Sequence, residues 1–266
     1  MSRKWAALLV TAASAWGQQF EVADVRVNKA EGAAVPVQVL NRDGIPVAIQ
    51  VNPNGISKLL EEPFAPSGRV SLRYITMRML ITIAYKKEIL RDEYLTGGPS
   101  WIDSDHFDVV AKAPPNTPLE TERLMLQAVL AERFHLQIHR EQRPMPVFVL
   151  VTGKGGLKLQ KAAGTGNADC NQVKRSRECT NMTMPDLVKE LPDLAPDYID
   201  RTVVDQTGLT GAYDFGLEWV ARRNLDEAGG FSVFGAIEKL GLKLEERKLP
   251  MTTIVMDRVD RTPTEN

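Results

Sequence analysis

A single internal repeat constrains this chain more than any other feature. Adding 106 to a residue number carries Asp108 onto Asp214, Leu136 onto Leu242, Pro144 onto Pro250, Met145 onto Met251 and Val149 onto Val255. An offset of 107 carries Thr76-Met77 onto Thr183-Met184. The match runs through segments of different periodicity, so a local coincidence does not explain it. In each copy a threonine opens an amphipathic helix: Met77, Leu80, Ile81 and Ala84 in the first, Met184, Leu187 and Leu191 in the second, with Pro185 in the first turn. Threonine is a good N-cap and proline is tolerated where no internal bond is lost. A turn follows each helix: Gly97-Gly98-Pro99, then Thr207-Gly208-Leu209-Thr210-Gly211. An alternating strand comes next, Phe107 to Lys112 and Tyr213 to Trp219. A second helix follows, with a capping box Thr117-Pro118-Leu119-Glu120 in the first copy and Ser232 as cap in the second. Two strands are expected to close each copy, 135–140 then 146–151, and 241–246 then 251–256. The fold class is therefore α+β: two tandem pseudo-symmetric units, each an antiparallel sheet with two helices packed on one face.

The boundaries follow. Residues 1–17 read as a signal peptide: Arg3-Lys4, an apolar stretch from Trp5 to Ala15, then small residues before a cut at Gln18. The first unit spans 18–152 with a variable insert at 31–65, and 153–175 join it to the second unit at 176–266. Within the insert, two Val/Ile-rich runs flank Asn41-Arg42-Asp43-Gly44, a hairpin signal; residues 52–68 read as loop. Such a signal would direct export to the periplasm or exterior, and is either cleaved near Gly17 or retained as an anchor. The formal net charge is only −1, and removing two basic residues makes the remainder more acidic, which disfavours a nucleic-acid partner. No apolar run is long enough for a transmembrane helix. In an oxidising compartment Cys170 and Cys179, the only cysteines, read as a disulfide, with unlinked thiols as the alternative.

Chemistry-bearing motifs are sparse. No Walker A, dinucleotide or Gly-x-Ser-x-Gly pattern occurs, and no cofactor is implied. His135 and His139 lie in an alternating strand pattern that separates their rings too far for one metal ion. Asp103, Asp105 and Asp108 around His106 lack the spacing of a calcium loop and read as a solvated turn. Asp205-Gln206-Thr207-Gly208 superficially resembles an aspartic-protease loop but has one residue too many; it reads as a polar strand-to-turn device. Trp101, Tyr213 and Trp219, with Tyr85 and Tyr94, lie at the joints between elements. They either pack the two cores or line a groove for a small molecule, peptide or glycan.

Gly97-Gly98-Pro99-Ser100-Trp101, the run Val204 to Phe215, and the ending from Leu240 through Pro263-Thr264-Glu265-Asn266 together resemble a family of exported, soil-associated bacterial proteins expanded in Acidobacteria. Some members are fused to a membrane metallopeptidase of beta-lactam-sensor type. This chain lacks that enzyme's zinc motif, so protease activity does not carry over, and the resemblance supplies no catalytic residues. It implies that Gly97, Gly98, Pro99, Thr207, Gly208 and Gly211 are fold-determining turns. The expected function is a non-enzymatic exported binding or sensing module, with Trp101, Tyr213, Trp219, Asp108, Asp205 and Asp214 as candidate ligand contacts. The competing readings are a hydrolase using Asp108, Asp205 and Asp214, and an envelope scaffold that pairs through sheet edges.

Overall fold

A computed structural model describes residues 19–29, 37–40, 46–49, 68–86, 91–164, 166–173, 176–225 and 230–265. The signal segment and the loop at 52–67 lie outside the described residues. The chain divides into two compact units. Met1–Ile89, Thr96–His139 and Val255–Asn266 form the first; Leu90–Leu95 and Arg140–Ile254 form the second.

In the first unit β1 (Val22–Asn28), β2 (Val37–Leu40), β3 (Pro46–Ile49), β4 (Arg69–Thr76) and β6 (His106–Lys112) build a five-stranded sheet in the order β1-β6-β4-β2-β3. The β2–β3 pairing is antiparallel, as the Asp-Gly signal between them predicts. Helices α1 (Met77–Ala84) and α2 (Leu119–Phe134) supply the rest of this unit's core. Phe107 of β6 meets Phe134 of α2 edge to face at 5.1 Å, and Leu72, Ile75, Leu80, Ile81, Leu126 and Leu130 are buried.

The second unit repeats the plan. Strands β8 (Gln160–Lys161), β9 (Asp169–Val173), β10 (Ser176–Thr183) and β12 (Ala212–Glu218) form a sheet in the order β8-β12-β10-β9. Helices α3 (Met184–Leu194) and α4 (Val233–Lys239) contribute Leu187, Leu191, Val233 and Ile237 to one buried cluster with Phe215 and Leu217. Strands β6 and β12 have the same buried–exposed sequence along all seven positions. Thr76 accepts from the Met79 N–H at 3.3 Å, Thr183 from the Asp186 N–H at 3.2 Å and Ser232 from the Gly235 N–H at 3.2 Å, so these three helices start where their caps predict.

Three sequence expectations change. Residues 153–175 are more than a connector, because β8 pairs with β12 and β9 with β10. The two closing strands expected in each copy are one long strand, β7 (Gln137–Thr152) and β13 (Leu242–Arg258). Neither Glu141–Arg143 nor Arg247–Leu249 offers a glycine, asparagine or aspartate to reverse the chain. These strands join β11 (Val203–Asp205) and β5 (Leu95–Gly97) in a third sheet, order β11-β7-β13-β5, in which β11 runs parallel to β7. Finally, the capping box does not form. Pro118 occupies the N-cap of α2 without a side-chain bond. The Thr117 hydroxyl donates to the Pro114 carbonyl at 2.6 Å, closing a turn instead.

Cys170 and Cys179 are directly opposed on β9 and β10 and form a disulfide. Closing so short a loop contributes roughly 2–3 kcal/mol. Replacing both cysteines by serine is expected to remove that much stability in chemical denaturation. Equal stability of the variant and the oxidised protein would show that the bond constrains nothing.

Candidate functional site

The three candidate carboxylates all hold local backbone in place. Both β4 and β10 carry a one-residue bulge, where the pairing shifts between Leu72 and Ile75 and between Cys179 and Met182. The extra residue permits a left-handed backbone at Tyr74 (φ 55°) and Asn181 (φ 51°). The freed N–H of each donates to an aspartate on the neighbouring strand: Tyr74 to Asp108 at 2.9 Å, Asn181 to Asp214 at 2.7 Å. Asp108 Oδ1 also accepts from the Asn28 amide at 2.9 Å. The repeat thus preserves a clasp across a bulge. Asp205 Oδ1 accepts from the Thr207 N–H at 2.9 Å and its hydroxyl at 2.8 Å. Thr207 Oγ1 in turn accepts from the Leu209 N–H at 3.1 Å. This is a polar turn, and Gly208 and Gly211 continue it at φ 69° and 89°.

Gly97 and Gly98 (φ 78° and 81°) lead through Pro99 into a short helical turn over Ser100–Asp103. A Cβ on Gly97 would lie 2.7 Å from the Met256 carbonyl oxygen, so close approach as well as φ requires glycine there.

Removing the carboxylate from a clasp leaves a buried-edge N–H without its acceptor. Asp214→Ala is therefore expected to cost about 1–3 kcal/mol, read as a shift of the denaturation midpoint. An unchanged midpoint would mean that water replaces the clasp.

The acidic residues around His106 turn in different directions. Asp103 pairs with Arg78 and Asp105 with Arg261; the Arg261 hydrogen bond holds the Asp105 carboxyl below the usual range. Among the described residues no group of three or more His, Cys, Asp or Glu side chains is placed to hold a metal ion. His135 is the left-handed C-cap of α2 (φ 46°), and only His139 lies within β7. Each meets its own aspartate: His135 Nδ1 lies 2.9 Å from Asp260, and His139 Nδ1 lies 2.8 Å from Asp257.

The aromatic residues separate by role. Tyr213 is buried and donates to the Thr210 carbonyl at 3.2 Å. Tyr85 and Tyr94 are also buried. Trp101, in the first unit, meets Phe107 edge-on at 6.3 Å. Trp219, in the second unit, is half-buried against the core and lines an open cleft of about 220 Å³ with Gln172, Arg177, Pro196 and Asp197. The first unit holds a separate cleft of about 310 Å³ between Phe20, Glu21 and the Met125–Arg133 face of α2.

The match to known families is to a protein of unknown function, DUF3738, over residues 78–259. The chain belongs to the DUF3738 family. No curated protein and no solved structure matches the chain. The DUF3738 region takes in both glycine turns, Trp101, the three aspartates and the Trp219 cleft. It begins after Tyr74, so one half of the first clasp precedes it. No helix among the described residues of this DUF3738 chain is long and apolar enough to cross a membrane.

Sequence reasoning missed two features. One is the Tyr74–His106 ring stack, whose centroids lie 3.8 Å apart with planes 11° from parallel. Aligning Tyr74 with Asn181 across the repeat would have exposed it as an odd residue for its position. The other is Glu122, buried in α2, whose carboxyl is pushed up to about 7 by burial. It lacks a hydrogen-bond partner among the described residues. The spacing to Met125, Leu126 and Val129 is the signal that could have found it, since Glu120 is followed at the same intervals by Arg123, Leu124 and Gln127.

Proposed function

We propose that this chain is an exported, non-enzymatic binding or sensing module whose ligand, a peptide or glycan fragment, seats against Trp219. The half-buried indole in the cleft carries this reading. An indole offers a flat apolar face to a sugar ring or side chain, while Gln172, Arg177 and Asp197 supply polar groups that fix orientation. The volume suits one ring or one side chain rather than a whole oligomer. Export is supported by the Arg3-Lys4 start, the apolar stretch and the small residues before Gln18, by the disulfide, and by the resemblance to exported soil-associated proteins. A hydrolytic role for Asp108, Asp205 and Asp214 is the weaker reading, because each spends an oxygen on holding backbone rather than on moving protons.

The test is a titration of the mature protein with soluble peptidoglycan fragments and short peptides, following the Trp219 indole N–H by NMR. A saturable shift is expected, with affinity at least tenfold weaker in Trp219→Ala. If no probe moves that resonance, the cleft is not the binding surface.

A further inference from the structure

The two copies of the clasp differ in one telling way. In the second unit the left-handed position is Asn181, a residue type that tolerates this backbone, and the position equivalent to His106 is Ala212. In the first unit the same backbone is imposed on Tyr74 (φ 55°), a bulky residue for which it is an outlier. The clasp does not require tyrosine, since Asn181 and Asp214 make the same bond without it. Strain kept where the fold has a cheaper solution marks a site with another use.

The surroundings say which use. His106 and Asp108 alternate with core-facing Phe107 and Val109, so both stand on the face of the sheet away from the core. The rings of Tyr74 and His106 are stacked and half-exposed there. The Tyr74 hydroxyl has no hydrogen-bond partner among the described residues. Asp108 spends Oδ1 on Tyr74 and Asn28, and no described residue donates to its Oδ2. Burial depresses the His106 pKa, which favours a neutral ring. An aromatic face beside an unspent hydroxyl and an unspent carboxylate oxygen matches the chemistry of a pyranose ring, which has an apolar C–H face and a rim of hydroxyls.

We infer that Tyr74, His106 and Asp108 form a glycan-binding platform on the first unit. It is independent of the Trp219 cleft. The sugar's C–H face packs on the aromatic pair, and a ring hydroxyl donates to Asp108 Oδ2.

Tyr74→Asn and His106→Ala give the first copy the side chains that the second already carries with its clasp intact, so both variants are expected to fold. The mature protein is titrated with soluble tetrasaccharides of glucose, N-acetylglucosamine, xylose and mannose, following the Tyr74 and His106 ring resonances by NMR. At least one tetrasaccharide is expected to shift them. Tyr74→Asn is expected to weaken that binding at least tenfold while raising Tm by a few degrees, because relieved strain and lost function move in opposite directions. Trp219→Ala is expected to leave it unchanged. Absence of binding by every tetrasaccharide, undiminished binding by Tyr74→Asn, or loss in Trp219→Ala alone would each overturn the platform.

Discussion

Replacing Gly241 by alanine is expected to destabilise the second unit by about 3 kcal/mol or more. Gly241 sits at φ 78°, in the turn between α4 and β13. A Cβ added there would run into the Gly156 carbonyl oxygen and the neighbouring Leu157 Cα, both backbone atoms that cannot swing aside. The Gly241 carbonyl also accepts the Gly153 N–H at 2.8 Å, so a shift to relieve the clash would break a second contact. Gly208→Ala is the control. Its φ of 69° is similar, but a Cβ there meets nothing within 4 Å, so only the backbone preference of about 1–2 kcal/mol is lost. Denaturant midpoints of the two variants should therefore separate clearly. Equal losses would mean that the loop at Gly156 yields and that φ alone accounts for the glycine.

That pair also shows how much of the fold is legible in the sequence. The repeat, its helices, the caps at Thr76, Thr183 and Ser232 and the disulfide follow from local rules, because an apolar period or a capping hydroxyl acts over a few residues. The position equivalent to Gly241 in the first copy is His135, also left-handed, at φ 46°. A histidine carries no such signal, so the alternation after it predicts a strand from His135, whereas the strand starts only at Gln137. The third sheet was hidden for a related reason. Strand β7 runs unbroken through Pro144 and Pro146 and β13 through Pro250, and a proline looks like an interruption unless the sheet pairing is known. Among the candidate site residues, Asp108 and Asp214 stood out because the repeat matched them. What they do depends on bulges in β4 and β10, and a bulge is a property of pairing with no residue signature of its own. The Trp219 cleft gathers residues from β9, β10 and the segment after α3, which are far apart in sequence. Only its indole was visible as a candidate.

Acidification from pH 8 to pH 5 should bring a stabilising contribution from Glu122, opposed by His106, whose pKa burial lowers. The Glu122 side chain lies on the inner stripe of α2 beside Met125, Leu126 and Val129, and the residue is only 4% exposed. Burial raises its pKa from 4.5 to about 7. Below pH 4.5 folded and unfolded chains both hold the proton, and the group costs nothing. Between 4.5 and 7 the unfolded chain releases a proton that the folded chain keeps, so stability falls as pH rises. Above 7 the folded chain carries a buried carboxylate, and the full cost of about 3 kcal/mol is present. Glu122→Gln removes the titration while keeping shape. It should flatten the profile and stabilise the protein at pH 8 by about 1–3 kcal/mol, the lower figure allowing for the amide's own unmet hydrogen bonds. At pH 5, where the native carboxyl is already protonated, the variant should differ little from the parent. Comparing the two proteins at each pH cancels the contribution of His106, which both retain. Parallel profiles for parent and variant between pH 5 and 8 would show that water or a counter-charge reaches Glu122 in solution.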